Sequence, residues 1–254
     1  MGCSAQNFRM LAVNYPLPNR VPSPCRLHQQ FRDTFVLEFF CNTPVGTDHS
    51  GEQKVCRYLE ELASLLNLPI LQEPRAHLSP LYGLSGWVPL GRSSAIHLYA
   101  WDDREPSFVS IDISTRTPLP RSAIIQHAQD FFDGQPENTV SKSLHDGAVH
   151  WRELAPNICR QRLAVRGLLS RPPRLPEVEA LLPALSQILD MKVLSKPFVK
   201  GQAAWMHWET SGVVMDWEDG LDLDIYTCKA FVPEKAVTFI NTRLPVTELS
   251  NLNF

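Results

Sequence analysis

Apolar and polar positions alternate in two similar series of elements, separated by a polar stretch near the middle of the chain. Phe35–Phe40 is a mostly apolar, aromatic run of the kind a buried strand carries. Ser50 and Gln53 have capping-box spacing, and Val55, Leu59, Leu62 and Leu66 then recur at steps of three to four, one face of a helix. Strands are predicted around Gly83–Leu90, Ser94–Trp101 and Phe108–Ile113. Pro118 and Pro120 open a second helix with Ile124, Ile125, Ala128 and Phe131 inward. After the polar, aperiodic residues 134–150 the order recurs: a strand over Arg160–Leu169 and a helix from Pro176 with Val178, Leu181, Leu182, Leu185 and Leu189 at helical steps. Strands follow near Lys192–Leu194, Ala203–Trp208 and Val213–Trp217. Leu221, Leu223 and Ile225 alternate with acids, the pattern of a half-buried strand, and Pro233 opens the last helix.

Each half thus reads β-α-β-β-β-α, and a repeat at half the chain length predicts a duplication. Antiparallel neighbours with helices on one face make the expected class α+β. The expected organisation is an irregular N-terminal arm (1–31), a first half (32–133), a linker (134–157) and a second half (158–254).

The chain has 254 residues, 44% of them hydrophobic, enough to bury a sizeable core. A net charge of −3 with interspersed signs offers no basic stripe for nucleic acid or a membrane surface. Six cysteines without C-x-x-C spacing predict reduced thiols, hence a cytoplasmic protein without a metal site. Met1-Gly2-Cys3 lacks the Ser or Thr that myristoylation wants at Gln6, and no signal peptide is expected.

Leu81-Tyr82-Gly83-Leu84-Ser85-Gly86 runs into Ser93-Ser94-Ala95-Ile96-His97-Leu98-Tyr99-Ala100-Trp101. A weaker copy, Glu209-Thr210-Ser211-Gly212-Val213-Val214-Met215-Asp216-Trp217, leads to Tyr226-Thr227-Cys228. The first string resembles the core of the small prokaryotic S-adenosylmethionine decarboxylases: Tyr-Gly-Val-Ser-Gly, a short strand, Glu-Ser-His, Ile-His-Thr-Trp, and later Thr-Cys. The resemblance covers residues 33–132 well and 158–242 weakly. It implies two β-α-β-β-β-α units paired as an αββα sandwich, in one fused chain or a homodimer. It also implies a pyruvoyl-dependent carboxy-lyase of polyamine or specialised metabolism, acting on S-adenosylmethionine or a related amino acid. Decarboxylating an amino acid requires an electron sink that no ordinary side chain supplies. In this family a serine attacks the carbonyl before it, the chain cuts, and the serine becomes the pyruvoyl group.

Carried over, the first-half serine is Ser93 or Ser94, depending on whether one counts from Ser85 or from Trp101. Tyr99 falls on the family's histidine, with His97 two residues away on the same strand face. Arg116 falls on its cysteine. In the second half Glu209 matches the residue before the cut, Thr210 the serine, Met215 the histidine and Cys228 the cysteine; Ser211 serves only with a one-residue slip. In fused relatives each site draws on both halves. That implies Thr210, Ser211 and Cys228 facing Ser85 with Tyr99 or His97, and Ser93 or Ser94 with Arg116 facing Gln202 and Met215. Phe39-Phe40 resembles the aromatic pair near which the family's adenine stacks. Neither half keeps Ser, His and Cys together. Alternatives therefore stand beside the decarboxylase: an inactive paralogue that binds a small molecule or activates a homologous decarboxylase subunit, or a repurposed enzyme without pyruvoyl.

Overall fold

In the first half the aromatic run forms β1 (Asp33–Cys41), followed by α1 (His49–Leu65), β2 (Arg75–Ser79), β3 (Gly83–Leu90), β4 (Ser94–Trp101), β5 (Ser107–Thr115), α2 (Arg121–Phe132) and β6 (Gly134–Ser143). The second half gives β7 (Gln161–Leu169), α3 (Leu175–Ile188), β8 (Phe198–Lys200), β9 (Ala203–Trp208), β10 (Ser211–Asp216), β11 (Leu221–Thr227), α4 (Pro233–Arg243) and β12 (Val246–Asn253). The computed structural model describes residues 32–80, 83–103, 105–143, 155 and 158–253; the expected N-terminal arm, Tyr82 and most of the expected linker lie outside them.

Two six-stranded sheets result, ordered β2-β3-β4-β5-β1-β6 and β8-β9-β10-β11-β7-β12, and every neighbouring pair is antiparallel. Element order and strand order are the same in both halves. The class is α+β: α1 and α2 cover the outer face of the first sheet, α3 and α4 that of the second, and the inner faces meet. No described helix is long and apolar enough to cross a membrane.

Three features correct the sequence reading. Residues 134–143 are not linker but β6, which adds to the edge of β1. Its Gln-Pro-Glu-Asn stretch reads as a loop, yet an edge strand needs only backbone pairing on one side. Val193 makes a single bridge to Trp208, and the edge strand is Phe198–Lys200. Helix α1 is capped by Asp48, whose carboxylate accepts from the Ser50 and Gly51 amides, rather than by Ser50.

The alternation on β11 has a different meaning from the one expected. Leu221, Leu223 and Ile225 face the helices, but Asp222 and Asp224 face the other sheet and are buried. The same period of two splits the aromatic pair on β1. Phe39 turns to the helix side against Phe132, so it is not at the site, whereas Phe40 packs on Phe108 between the sheets.

Candidate functional site

The layer between the sheets is charged at its centre. Arg162 of β7 bridges Asp112 of β5, at 2.5 Å, and Asp224 of β11. Arg32 donates to Asp222 at 2.8 Å, to the Ser114 hydroxyl at 2.9 Å and to the Ser93 carbonyl at 3.0 Å. Arg116 pairs with Asp216 at 2.9 Å. Burial pushes the Asp224 carboxyl up, but Arg162 and Arg32 outweigh it and hold it below its ordinary value. His97 sits in this layer, 3.6 Å from Asp112, and its ring lies against the backbone of Gly212 in β10, where a Cβ would come within 1.9 Å of Nε2. Gly212 directly follows Ser211, so His97 lies one residue from the closing pair of the β9–β10 hairpin.

Trp87 of β3 stacks on His207 of β9 with centroids 5.4 Å apart. Burial, then the nearby His97, His77 and Arg75, lower the His207 imidazole to about 3. Its folded value lies below the unfolded 6.5, so the stability it contributes is intact above pH 6.5 and is lost as pH falls from 6.5 toward 3. Urea unfolding should show stability dropping by several kcal/mol between about pH 7 and pH 4. His207→Phe, which keeps a ring on Trp87, should flatten part of that slope; an unchanged slope would exclude His207 as its source.

The two hairpins carry the candidate residues at opposite ends of the sandwich. The closing pairs are Leu90–Ser94 in β3–β4 and Trp208–Ser211 in β9–β10. Ser94 therefore corresponds to Ser211, and counting along β4 and β10 sets Tyr99 with Asp216. Likewise Arg116 corresponds to Cys228. Met215 turns into the helix-side core, so the residue facing the first hairpin is Asp216.

At the first tip Arg92 and Ser93 both adopt left-handed φ, 57° and 53°. The Ser93 hydroxyl donates to the Asp216 carboxylate, and the Ser94 hydroxyl donates to the Arg92 carbonyl at 3.2 Å. A cleft of about 440 Å³ lies beside them, lined by Ser93, Lys200, Gln202, Trp205 and Glu218 among others. The Trp205 indole donates to the Ser94 carbonyl at 2.9 Å.

At the second tip everything converges on the Thr210 carbonyl. It accepts from the Thr227 hydroxyl at 2.9 Å, the Cys228 amide at 3.0 Å, the Tyr99 hydroxyl at 3.2 Å and the Cys228 thiol at 3.6 Å. Tyr99 comes from the first half, the others from the second. The Ser211 hydroxyl donates to the Tyr226 carbonyl at 2.6 Å. Burial pushes the Cys228 thiol up to about 12 and the Tyr99 phenol well above its usual 10, so both stay protonated. Among the described residues the buried Thr210 Oγ1 has no hydrogen-bond partner. It lines a cleft of about 480 Å³ with Glu209, Lys192 and Lys229.

Ser85 pairs with Tyr99 across β3–β4, and its hydroxyl donates to the His77 carbonyl at 3.3 Å rather than to the second half. Glu209 faces His77 at 3.3 Å and Lys192 at 3.5 Å. No motif singles out His77 or Asp216; the sheet pairing brings them to the tips. Phe40, Trp101, Phe108 and Tyr226 cluster beside Tyr99 and Cys228.

These halves define an α+β protein with two pseudo-equivalent hairpin sites, each completed by the opposite half. No family model matches the chain, and no curated protein matches it. Among solved structures, one described provisionally as the chlorite dismutase TA0507 is 12% identical, over 87% of this chain and 93% of that one, with a TM-score of 0.26. A likeness that faint bears on neither fold nor function.

Proposed function

We propose that the chain is a pyruvoyl-type carboxy-lyase, similar to the S-adenosylmethionine decarboxylases, acting on S-adenosylmethionine or a related amino acid. Its processed bond is Thr210–Ser211. The observation that carries this reading is the set of donors on the Thr210 carbonyl oxygen. A carbonyl has two lone pairs, so donors from three side chains and one amide make the environment of an oxygen that takes on negative charge.

Ser211 is the next residue. Its hydroxyl oxygen adds to the Thr210 carbonyl carbon, the C–N bond breaks, and the hydroxyl proton passes to the Ser211 nitrogen, leaving an ester. Loss of the Ser211 Cα proton expels the Thr210 carboxylate and leaves a dehydroalanine, which tautomerises to an imine. Water hydrolyses the imine, ammonia departs, and residue 211 begins the new chain as pyruvoyl. That group supplies the electron sink for decarboxylation. Cys228, protonated and next to Thr210, holds the proton that returns to the substrate carbon. Tyr99 takes the place of the family's histidine as a donor, not a base.

One observation favours a cut in the first hairpin instead. Ser93 already has a carboxylate base in Asp216, and the carbonyl it would attack accepts from Ser94. If neither bond breaks, the ligand-binding or partner-activating paralogue becomes the better reading.

Release of carbon dioxide from carboxyl-labelled S-adenosylmethionine tests the activity. Cys228→Ala should lower turnover at least about a hundredfold, within the range a positioned proton donor supplies, while leaving the fold intact. Cys56→Ala, half-buried on α1, should leave turnover unchanged. Full turnover in Cys228→Ala would remove Cys228 from the site.

A further inference from the structure

Two lysines share the cleft at the second hairpin tip with Glu209 and Thr210. Backbone bonds fix where both begin. The Glu209 amide donates to the Lys192 carbonyl at 2.8 Å, and the Cys228 amide, one residue before Lys229, donates to the Thr210 carbonyl at 3.0 Å. The Lys192 Nζ lies 3.5 Å from the Glu209 carboxylate, and the Lys229 Nζ donates to the Asp190 carboxylate at 2.7 Å. The Asp190 side chain is 95% exposed, so water screens that pair and its hold on Lys229 is weak. An ammonium has three donors, so both lysines keep protons for a ligand.

With the screened Asp190 set aside, two ammonium groups face the single carboxylate of Glu209, and the cleft carries a positive excess. The buried Thr210 Oγ1, without a hydrogen-bond partner among the described residues, lines the same cleft. A buried hydroxyl left unpaired costs free energy that a polar ligand would recover. The lining also says what the ligand lacks. Among the described residues no aromatic ring lines this cleft of about 480 Å³. Phe39 and Phe40 point to opposite faces of β1, and Phe40 is packed on Phe108, so the pair offers an adenine no common platform. The volume and polar walls suit a small molecule oriented by a few charged groups.

We propose that this cleft binds an acidic α-amino acid, with its two carboxylates on Lys192 and Lys229 and its ammonium on Glu209. Each of the ligand's charges then meets one of opposite sign, and the Thr210 hydroxyl donates to a carboxylate. Glu209 holds the amine close in sequence to residue 211, the group the amine joins once that residue is pyruvoyl. Cutting turns the Thr210 carbonyl into a carboxylate, but Tyr99, Thr227 and Cys228 already hold that oxygen, so the lysines stay available. The assignment rests on the Thr210–Ser211 tip being the site and narrows its substrate to an amino acid without an adenosyl group. Binding itself needs no cut.

Calorimetric titration of the full chain with L-glutamate and L-aspartate measures it, with L-glutamine, L-asparagine and S-adenosylmethionine as comparators. One of the acids should bind at least about tenfold more tightly than its amide, the effect of one charge-assisted hydrogen bond. Lys192→Met and Lys229→Met should each weaken that acid at least about tenfold, and one of the two should erase its advantage over the amide. Lys235→Met, exposed on α4, should bind as the unmodified chain does. Equal affinity for acid and amide overturns the proposal, as does full affinity in both lysine variants or tighter binding of S-adenosylmethionine than of either acid. A chain that cuts but binds neither acid defeats the cleft assignment and leaves the processing reading intact. Acid binding by a chain that never cuts upholds the cleft and defeats the processing reading alone.

Discussion

Purified protein, incubated and weighed intact, should resolve into two chains, residues 1–210 and 211–254, with one water taken up and one ammonia released. Ser211→Ala should give the full-length mass only, because the attacking oxygen is gone, a loss without limit in rate. Thr227→Val removes one donor from the Thr210 carbonyl and should slow the cut by about a hundredfold, the size of effect that loss of one oxyanion donor produces. Ser94→Ala should cut like the unmodified chain. Fragments ending at residue 92 or 93 instead would move the chemistry to the first hairpin. A single full-length species after prolonged incubation would end the pyruvoyl reading altogether.

The second large effect concerns the fold. Arg162→Met should destabilise the protein by about 3–5 kcal/mol, because it leaves Asp112 and Asp224 buried without the guanidinium that bridges them. The loss is the cost of stranding charge rather than the worth of the bridge. Asp112→Asn added to Arg162→Met should therefore recover part of it, and urea midpoints for the three proteins decide the matter. Asp224 also fixes how the effect varies with pH. Its folded value lies below its unfolded 3.8, so its contribution is present above about pH 4 and is lost as pH falls through the lower folded value. If the double variant is no more stable than Arg162→Met, stranded charge is not the cause.

The helices were legible because each buries one apolar stripe. Val178, Leu181, Leu182, Leu185 and Leu189 are all buried as their spacing requires. The interior strands were legible for the same reason. The edge strands were not: β2, β6, β8 and β12 are held by backbone pairing on one side, which leaves little trace in side-chain pattern. Nor was the inner layer. Asp222 and Asp224 alternate with leucines as solvent-facing acids would, and only the first sheet packing over them makes them buried partners of arginines. The candidate serines were visible but their alignment was not. The first hairpin loop spans Gly91–Ser93 and the second only Glu209–Thr210, so motif counting set Thr210 at the position of the family's serine, whereas strand pairing aligns Ser211 with Ser94.

The charged inner layer also acts as an address. By strand pairing, Asp112 corresponds to Asp224, and Arg162 corresponds to Thr34. Two first halves facing one another would set Asp112 against Asp112 with no arginine at the Arg162 position and only their own His97 nearby. Two second halves would keep Arg162 beside Asp224 but deprive Asp222 and Asp216 of Arg32 and Arg116. Each half supplies arginines to the other's aspartates, so separating the halves onto different chains should favour the matched pair over a homodimer of either.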